Sequence, residues 1–122
     1  MNVLIVEDVR DLAELWKRHL ERENAVVHIA TTSDQAIDFI SSHAYEVIVV
    51  DLLLSNGDSG LAVADYAQYR RPEARVIVVS DNTFFSDGSI FEATANARAL
   101  VRRGTAPEDL AAMVEHYGTA PS

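Results

Sequence analysis

The 122-residue sequence contains no cysteine. A disulfide framework, a thiolate metal site and a thiol nucleophile are all excluded by that absence, which is compatible with the cytosol. Lysine is almost missing as well, since Lys17 is the only one among ten basic side chains. Nineteen acidic side chains outnumber them and give a formal net charge of −9. A phosphate backbone would be repelled, so no nucleic-acid partner is expected. No apolar stretch approaches the roughly 20 residues needed to cross a bilayer. Met1 runs directly into Asn2-Val3-Leu4-Ile5-Val6, without the basic region or small-residue cleavage site of a signal peptide. The expectation is a cytoplasmic protein with no membrane partner.

What remains is the composition of an ordinary globular chain, 48% hydrophobic and 24% charged. Its length suits one compact domain with a real core and leaves no room for a second folded unit. We expect a single domain over residues 1–118, a frayed tail over 119–122, and no output module.

Val3 to Val6 is a continuous apolar run stopped by Glu7-Asp8, which reads as a strand buried on both faces. Leu12, Leu15, Trp16 and Leu20 then recur at helical spacing. Ala25 to Ala30 reads as a second strand, interrupted by His28. Thr32-Ser33-Asp34-Gln35 is a capping-box sequence that predicts a helix through Ile37 and Ile40. Val47-Ile48-Val49-Val50 is the strongest strand signal, and it ends in Asp51. A turn-rich loop from Ser55 to Gly60 leads to an Ala-rich helix over Leu61 to Tyr69, closed by Arg70-Arg71-Pro72. Arg75 to Val79 is a fourth strand ending in Ser80, and Ala99-Leu100-Val101 a short fifth. Thr105-Ala106-Pro107-Glu108 is a second capping-box sequence, opening a helix with Leu110, Val114 and Tyr117 on one face.

Strands alternating with helices imply a parallel sheet covered on both faces through right-handed crossovers. The expected fold is therefore α/β: a flavodoxin-like, doubly wound, five-stranded parallel sheet in the order 2-1-3-4-5. Its ligands would sit beyond the carboxyl ends of strands one and three. Between strands four and five, Asn82 to Phe91 holds Phe84, Phe85 and Phe91 but no sustained helical period. The fourth helix is expected to be irregular, and the phenylalanines serve either as a partner or homodimer surface or as core filling.

Glu7, Asp8 and Asp51 fall at two strand ends that this order makes neighbours, about 4.8 Å apart. A lone acid at a strand end is more often a helix cap or a loop residue, and Asp8 alone could cap the first helix. Three acids on an otherwise apolar sheet favour a shared pocket, where mutual repulsion is relieved by a hard cation with oxygen ligands, Mg²⁺ first among them. Ser80 could donate to an anion bound at Asp51, and an arginine after strand five could balance an added phosphoryl group. Taken singly, Ser80 reads equally well as a strand-end serine.

Leu4-Ile5-Val6-Glu7-Asp8, Val47 to Leu54 with a later Gly60, Val76-Ile77-Val78-Val79-Ser80 and Pro107-Glu108-Asp109-Leu110 together resemble the receiver domain of two-component response regulators. The first two segments carry most of the likeness. The resemblance implies a signalling module and not a conventional enzyme. Asp51 would take a phosphoryl group from the phosphohistidine of a histidine kinase or phosphotransfer protein. Mg²⁺ would be held by Asp8, Asp51 and the Leu53 carbonyl, with Glu7 assisting through water. Ser80 would hydrogen-bond the phosphoryl group, and the signal would pass by contact to a downstream protein target in trans.

The sequence departs from that family at several places. No lysine stands beyond position 17; counting back from Pro107 puts Arg103 in the family lysine's position, and counting forward from the strand puts Arg102 there. A planar, forked guanidinium does not simply replace an ammonium. Ser55 replaces a proline, the family glycine falls one residue before Gly60, Asp81 replaces a small residue, and Leu100 replaces the aromatic switch residue. These departures support an alternative, a phosphorylation-independent pseudo-receiver that acts as a docking module. Other classes fit less well. Leu53 stands where a haloacid-dehalogenase-type phosphatase has its second acid, Glu7-Asp8 would repel a flavin phosphate, and no Gly-x-Ser-x-Gly or His-Glu-x-x-His motif occurs. His19, His28, His43 and His116 read as structural or surface residues.

Overall fold

The computed structural model describes residues 1–54, 57–81 and 94–119. Five strands, β1 (Asn2–Val6), β2 (Val26–Ala30), β3 (Val47–Asp51), β4 (Arg75–Val79) and β5 (Ala97–Val101), alternate with α1 (Arg10–Glu21), α2 (Ser33–Ser42), α3 (Gly60–Arg70) and α4 (Pro107–Thr119). The strands are all parallel in the order β2-β1-β3-β4-β5, as the alternation of elements predicts. The expected fourth helix and the three phenylalanines between β4 and β5 lie outside the described residues.

The near-unbroken apolar runs in the strands follow from burial on both faces, because period-two alternation sends neighbouring residues to opposite sides. Leu4, Val6, Ile48, Val50, Val76 and Val78 pack under α2 and α3. Val3, Ile5, Val47, Val49, Ile77 and Val79 pack under α1 and α4 with Trp16, Leu20, Leu110 and Val114. The same parity carries past the strand ends. Glu7 continues Val3 and Ile5, and Asp51 continues Val47 and Val49, so both acids belong to the α1–α4 side. A shift in the β4–β5 register between Val76 and Ile77 separates Ala97 from Ala99, after which Ala99 and Val101 also face that side.

Local chemistry sets the helix starts. Thr32 Oγ1 accepts from the Gln35 N–H, the first half of the expected capping box. The Gln35 side chain reaches back to the Thr31 N–H and not to that of Thr32, so the reciprocal bond is displaced by one residue. At α1 the N-cap position falls on Val9, one residue past Asp8. One expectation is corrected: Thr105 does not begin α4, because the Ala106 carbonyl accepts from Asp109 and Leu110, which puts Pro107 at the first helical position, where its missing N–H costs nothing. The helix then continues through Gly118 to Thr119, within the stretch expected to fray.

His28, which seemed to weaken β2, is accommodated. Its Nδ1 lies 2.7 Å from the Tyr45 hydroxyl and its ring stacks on Phe39 with centroids 5.1 Å apart. Burial pushes the Tyr45 hydroxyl up to about 12, which keeps it protonated.

Candidate functional site

The register fixes the site. Val6 pairs with Val50, Val50 with Val78, and Val79 with Val101. One step beyond those pairs, Glu7 stands beside Asp51 and Ser80 follows β4. Glu7 is 0% and Asp51 1% exposed, and carboxylates so placed require compensating donors.

For Glu7 the backbone supplies two: Oε2 accepts from the N–H groups of Asp8 at 2.9 Å and Val9 at 3.3 Å. Oε1 accepts from Arg103 Nη2 at 3.0 Å. The same guanidinium reaches the second acid, with Nε 3.0 Å from Asp51 Oδ2. That contact is an ion pair lacking hydrogen-bond alignment, since neither atom has a hydrogen-bond partner. Asp51 Oδ1 accepts from the Leu53 N–H at 3.0 Å.

Arg103, not Arg102, therefore enters the pocket. It continues the Ala99–Val101 parity toward the α1–α4 side, and Asp81 fixes its backbone by accepting from the Arg103 N–H at 3.1 Å. Arg102 turns outward, its Nε 3.6 Å from Asp81 and its side chain 77% exposed. Alternation counted from Ala99 would have chosen between the two arginines, but nothing in the sequence marks Asp81 as the anchor.

Burial pushes the Glu7 carboxyl up to about 7, helped by the hydrogen-bonding contact and charge of Asp51, against the lowering effects of the Val9 N–H and Arg103. For Arg103 burial works against the charge, but pairing with Glu7 and the nearby charges of Asp51 and Asp81 outweigh it and hold the guanidinium above its ordinary value. It stays charged throughout.

Asp51 opens on a cavity of about 340 Å³ lined with Leu53, Ser80, Asp81 and Arg103. Ser80 is 7% exposed and its N–H donates to the Val101 carbonyl. Leu53 is 65% exposed at the mouth. Gly60 closes the back: its N–H donates to the Leu52 carbonyl, and any Cβ there would collide with the Asp51 carbonyl.

The carboxylates of Asp8 and Asp51 have the hard-oxygen chemistry that suits Mg²⁺. Their arrangement does not fit the ion as it stands. Both Glu7 oxygens have protein donors, Asp51 Oδ2 faces Arg103, and among the described residues no group of three or more His, Cys, Asp or Glu gathers around a point that could hold a metal. Of the residues expected to hold the metal, Glu7 and Asp51 meet through Arg103, Asp8 follows Glu7 at the start of the loop, and Leu53 contributes its N–H to Asp51. No described helix is long and apolar enough to cross a membrane.

Residues 3–115 match the family described as response regulator receiver domain. Protein-glutamate methylesterase/protein-glutamine glutaminase 3 of Burkholderia orbicola is 30% identical over 95 residues, 76% of this chain and 27% of that protein. The chain spans about a quarter of the length of the first curated relatives it matches. Among solved structures, a CheY-like response regulator receiver domain protein from Methanospirillum hungatei superposes with a TM-score of 0.85 at 25% identity, covering 96% of this chain and 92% of that one. Response regulator protein TrrA from Thermotoga maritima, solved in complex with Mg(2+)-BeF, gives 0.80 at 22% identity, covering 95% and 97%.

Proposed function

The chain belongs to the response regulator receiver domain family, and from that premise we propose that it accepts a phosphoryl group on Asp51 and signals by protein contact. The observation that carries this reading is the placement of Asp51. It is an acid at the carboxyl end of the central strand, bordering a cavity walled by a hydroxyl and a guanidinium. The donor would be the phosphohistidine of a histidine kinase or phosphotransfer protein. An Asp51 oxygen forms the new O–P bond as the P–N bond breaks, and the departing imidazole takes up a proton. At rest Asp51 Oδ1 accepts from the Leu53 N–H and Oδ2 faces Arg103, so both oxygens are engaged before a phosphoryl group arrives. The Ser80 hydroxyl would donate to a phosphoryl oxygen, and Arg103 would pair with the added charge.

Mg²⁺ belongs to this reading as the ion that Asp8, Asp51 and the Leu53 carbonyl would hold, with Glu7 assisting through water, to neutralise charge on the phosphoryl oxygens. Arg103 would first have to leave its present place. The target would be a protein engaged in trans through the surface running from β4 to α4, in the cytoplasm; the net charge of −9 disfavours nucleic acid. Any autophosphatase activity would be incidental to signalling.

A phosphorylation-independent docking module is the second reading, and one observation favours it: the cation nearest Asp51 is already a side chain of the protein. Incubation with Mg²⁺ and acetyl phosphate, followed by intact-mass measurement, separates the two. A single phosphoryl adduct on the wild type that is absent from Asp51→Asn and prevented by chelation supports phosphoacceptance. No adduct, with the fold intact, leaves the docking module.

A further inference from the structure

Two buried carboxylates and one guanidinium form a closed set at the end of the sheet. Arg103 Nη2 lies 3.0 Å from Glu7 Oε1 and Nε 3.0 Å from Asp51 Oδ2. The oxygen it covers, Asp51 Oδ2, has essentially no accessible surface, and Glu7 has none. A Mg²⁺ ion bonds carboxylate oxygens at about 2.0–2.1 Å and requires near-octahedral geometry. Placed on that Asp51 oxygen, it would stand within a few ångströms of a permanent positive charge, in surroundings that screen poorly. The guanidinium and the metal therefore compete for the same oxygens.

We propose that Arg103 is a built-in counter-cation that keeps this pocket shut, and that a divalent cation or a phosphoryl group reaches Asp51 only by displacing it. The inference rests on the receiver reading of the site and adds a step to it: the resting pocket already holds a cation of its own, and loading begins with a side-chain departure. Asp81 holds the Arg103 backbone N–H, so the main chain stays in place while the side chain moves. Room for the movement exists, because the guanidinium forms part of the wall of the 340 Å³ cavity and the side chain is already 34% exposed.

Two acids are bridged only because the guanidinium is forked. A lysine ammonium at the same position gathers its three donors on one nitrogen, and cannot reproduce contacts made from two separate nitrogens of a planar group. Arg103→Lys therefore keeps the charge while opening the bridge, and Arg103→Gln removes the charge while keeping a similar length.

The test is a Mg²⁺ titration without any phosphodonor, followed by the amide resonances of Asp8, Leu53 and Arg103 and by the Arg103 Nε–H resonance, on variants whose amide spectra show an intact fold. The wild type is expected to need about tenfold more Mg²⁺ for half-saturation than Arg103→Lys or Arg103→Gln, because the closed state reduces apparent affinity by the fraction of molecules that are open. Its Nε–H resonance should move with the same midpoint as the Asp8 amide. Equal midpoints in all three proteins, an unmoved Nε–H resonance at saturation, or no Mg²⁺ binding by any of them would each overturn the proposal. Failure of Asp51 to form an adduct would not affect this titration, so the gate and the phosphoacceptor reading can fail separately.

Discussion

Gly60 lies directly against the backbone of Asp51, so close that a Cβ at position 60 would collide with the Asp51 carbonyl. The first turn of α3 is thereby seated on the strand end that presents the Asp51 carboxylate. Gly60→Ala should cost about 1–3 kcal/mol, the usual penalty for overpacking a site that cannot expand. Urea denaturation would read the loss, and a perturbed Leu53 amide resonance would show that Asp51 has moved; an unchanged midpoint would contradict the close approach.

The Glu7 carboxyl predicts a pH dependence of stability. Its folded value of about 7 lies above the ordinary 4.5, so between those limits the folded state binds more protons than the unfolded chain. This group's contribution is therefore most favourable below about pH 4.5 and declines as pH rises to about 7, by up to about 3 kcal/mol. Glu7→Gln cannot titrate. In metal-free buffer, the stability of wild type relative to Glu7→Gln should fall between pH 5 and pH 8, and a flat difference would refute the assignment.

Asp81 places a second negative charge in the wall of the cavity that, on the proposed reading, a phosphodonor would enter. Asp81→Asn keeps an acceptor for the Arg103 N–H while removing that charge. The initial rate of adduct formation with acetyl phosphate should rise several-fold, on the order of 2–10 times. The advantage should shrink as salt screens the repulsion. Equal rates at low ionic strength would show that Asp81 does not limit access.

Away from the site, Thr32 Oγ1 caps α2 by accepting from the Gln35 N–H at 3.1 Å. Thr32→Ala should destabilise the protein by about 1 kcal/mol and increase hydrogen exchange at the Gln35 amide, without changing adduct formation at Asp51.

The sheet was legible because a doubly covered parallel strand has no polar face to hide: Val47 to Val50 and Val76 to Val79 could be placed from composition alone. Asp51 was legible for the same reason, as a charge ending such a run, and so was Glu7 after Val3 to Val6. The start of β5 was not, because Ala97 and Arg98 enter the sheet ahead of a register shift that no residue type announces. Thr105 misled because a capping-box sequence fits any register, whereas Pro107 takes the first helical position. The choice between Arg102 and Arg103 depended on strand parity and on the Asp81 carboxylate, which is 22 residues from Arg103 in sequence.

The pairing of α2 with α3 has a mechanical consequence. At one end the Asp58 carboxylate accepts from the Ser33 N–H at 2.8 Å; at the other, Arg71 donates to the carbonyls of Ile40 and Ser41, and Arg70 also to Ser41. Bolted together at both ends, these helices behave as one stiff plate on their face of the sheet. A disturbance at Asp51 then has little compliance in that direction. On the proposed reading, a phosphoryl group on Asp51 would meet that stiffness on the α2–α3 face, and the response would be relieved sideways, through β4 and β5 toward α4.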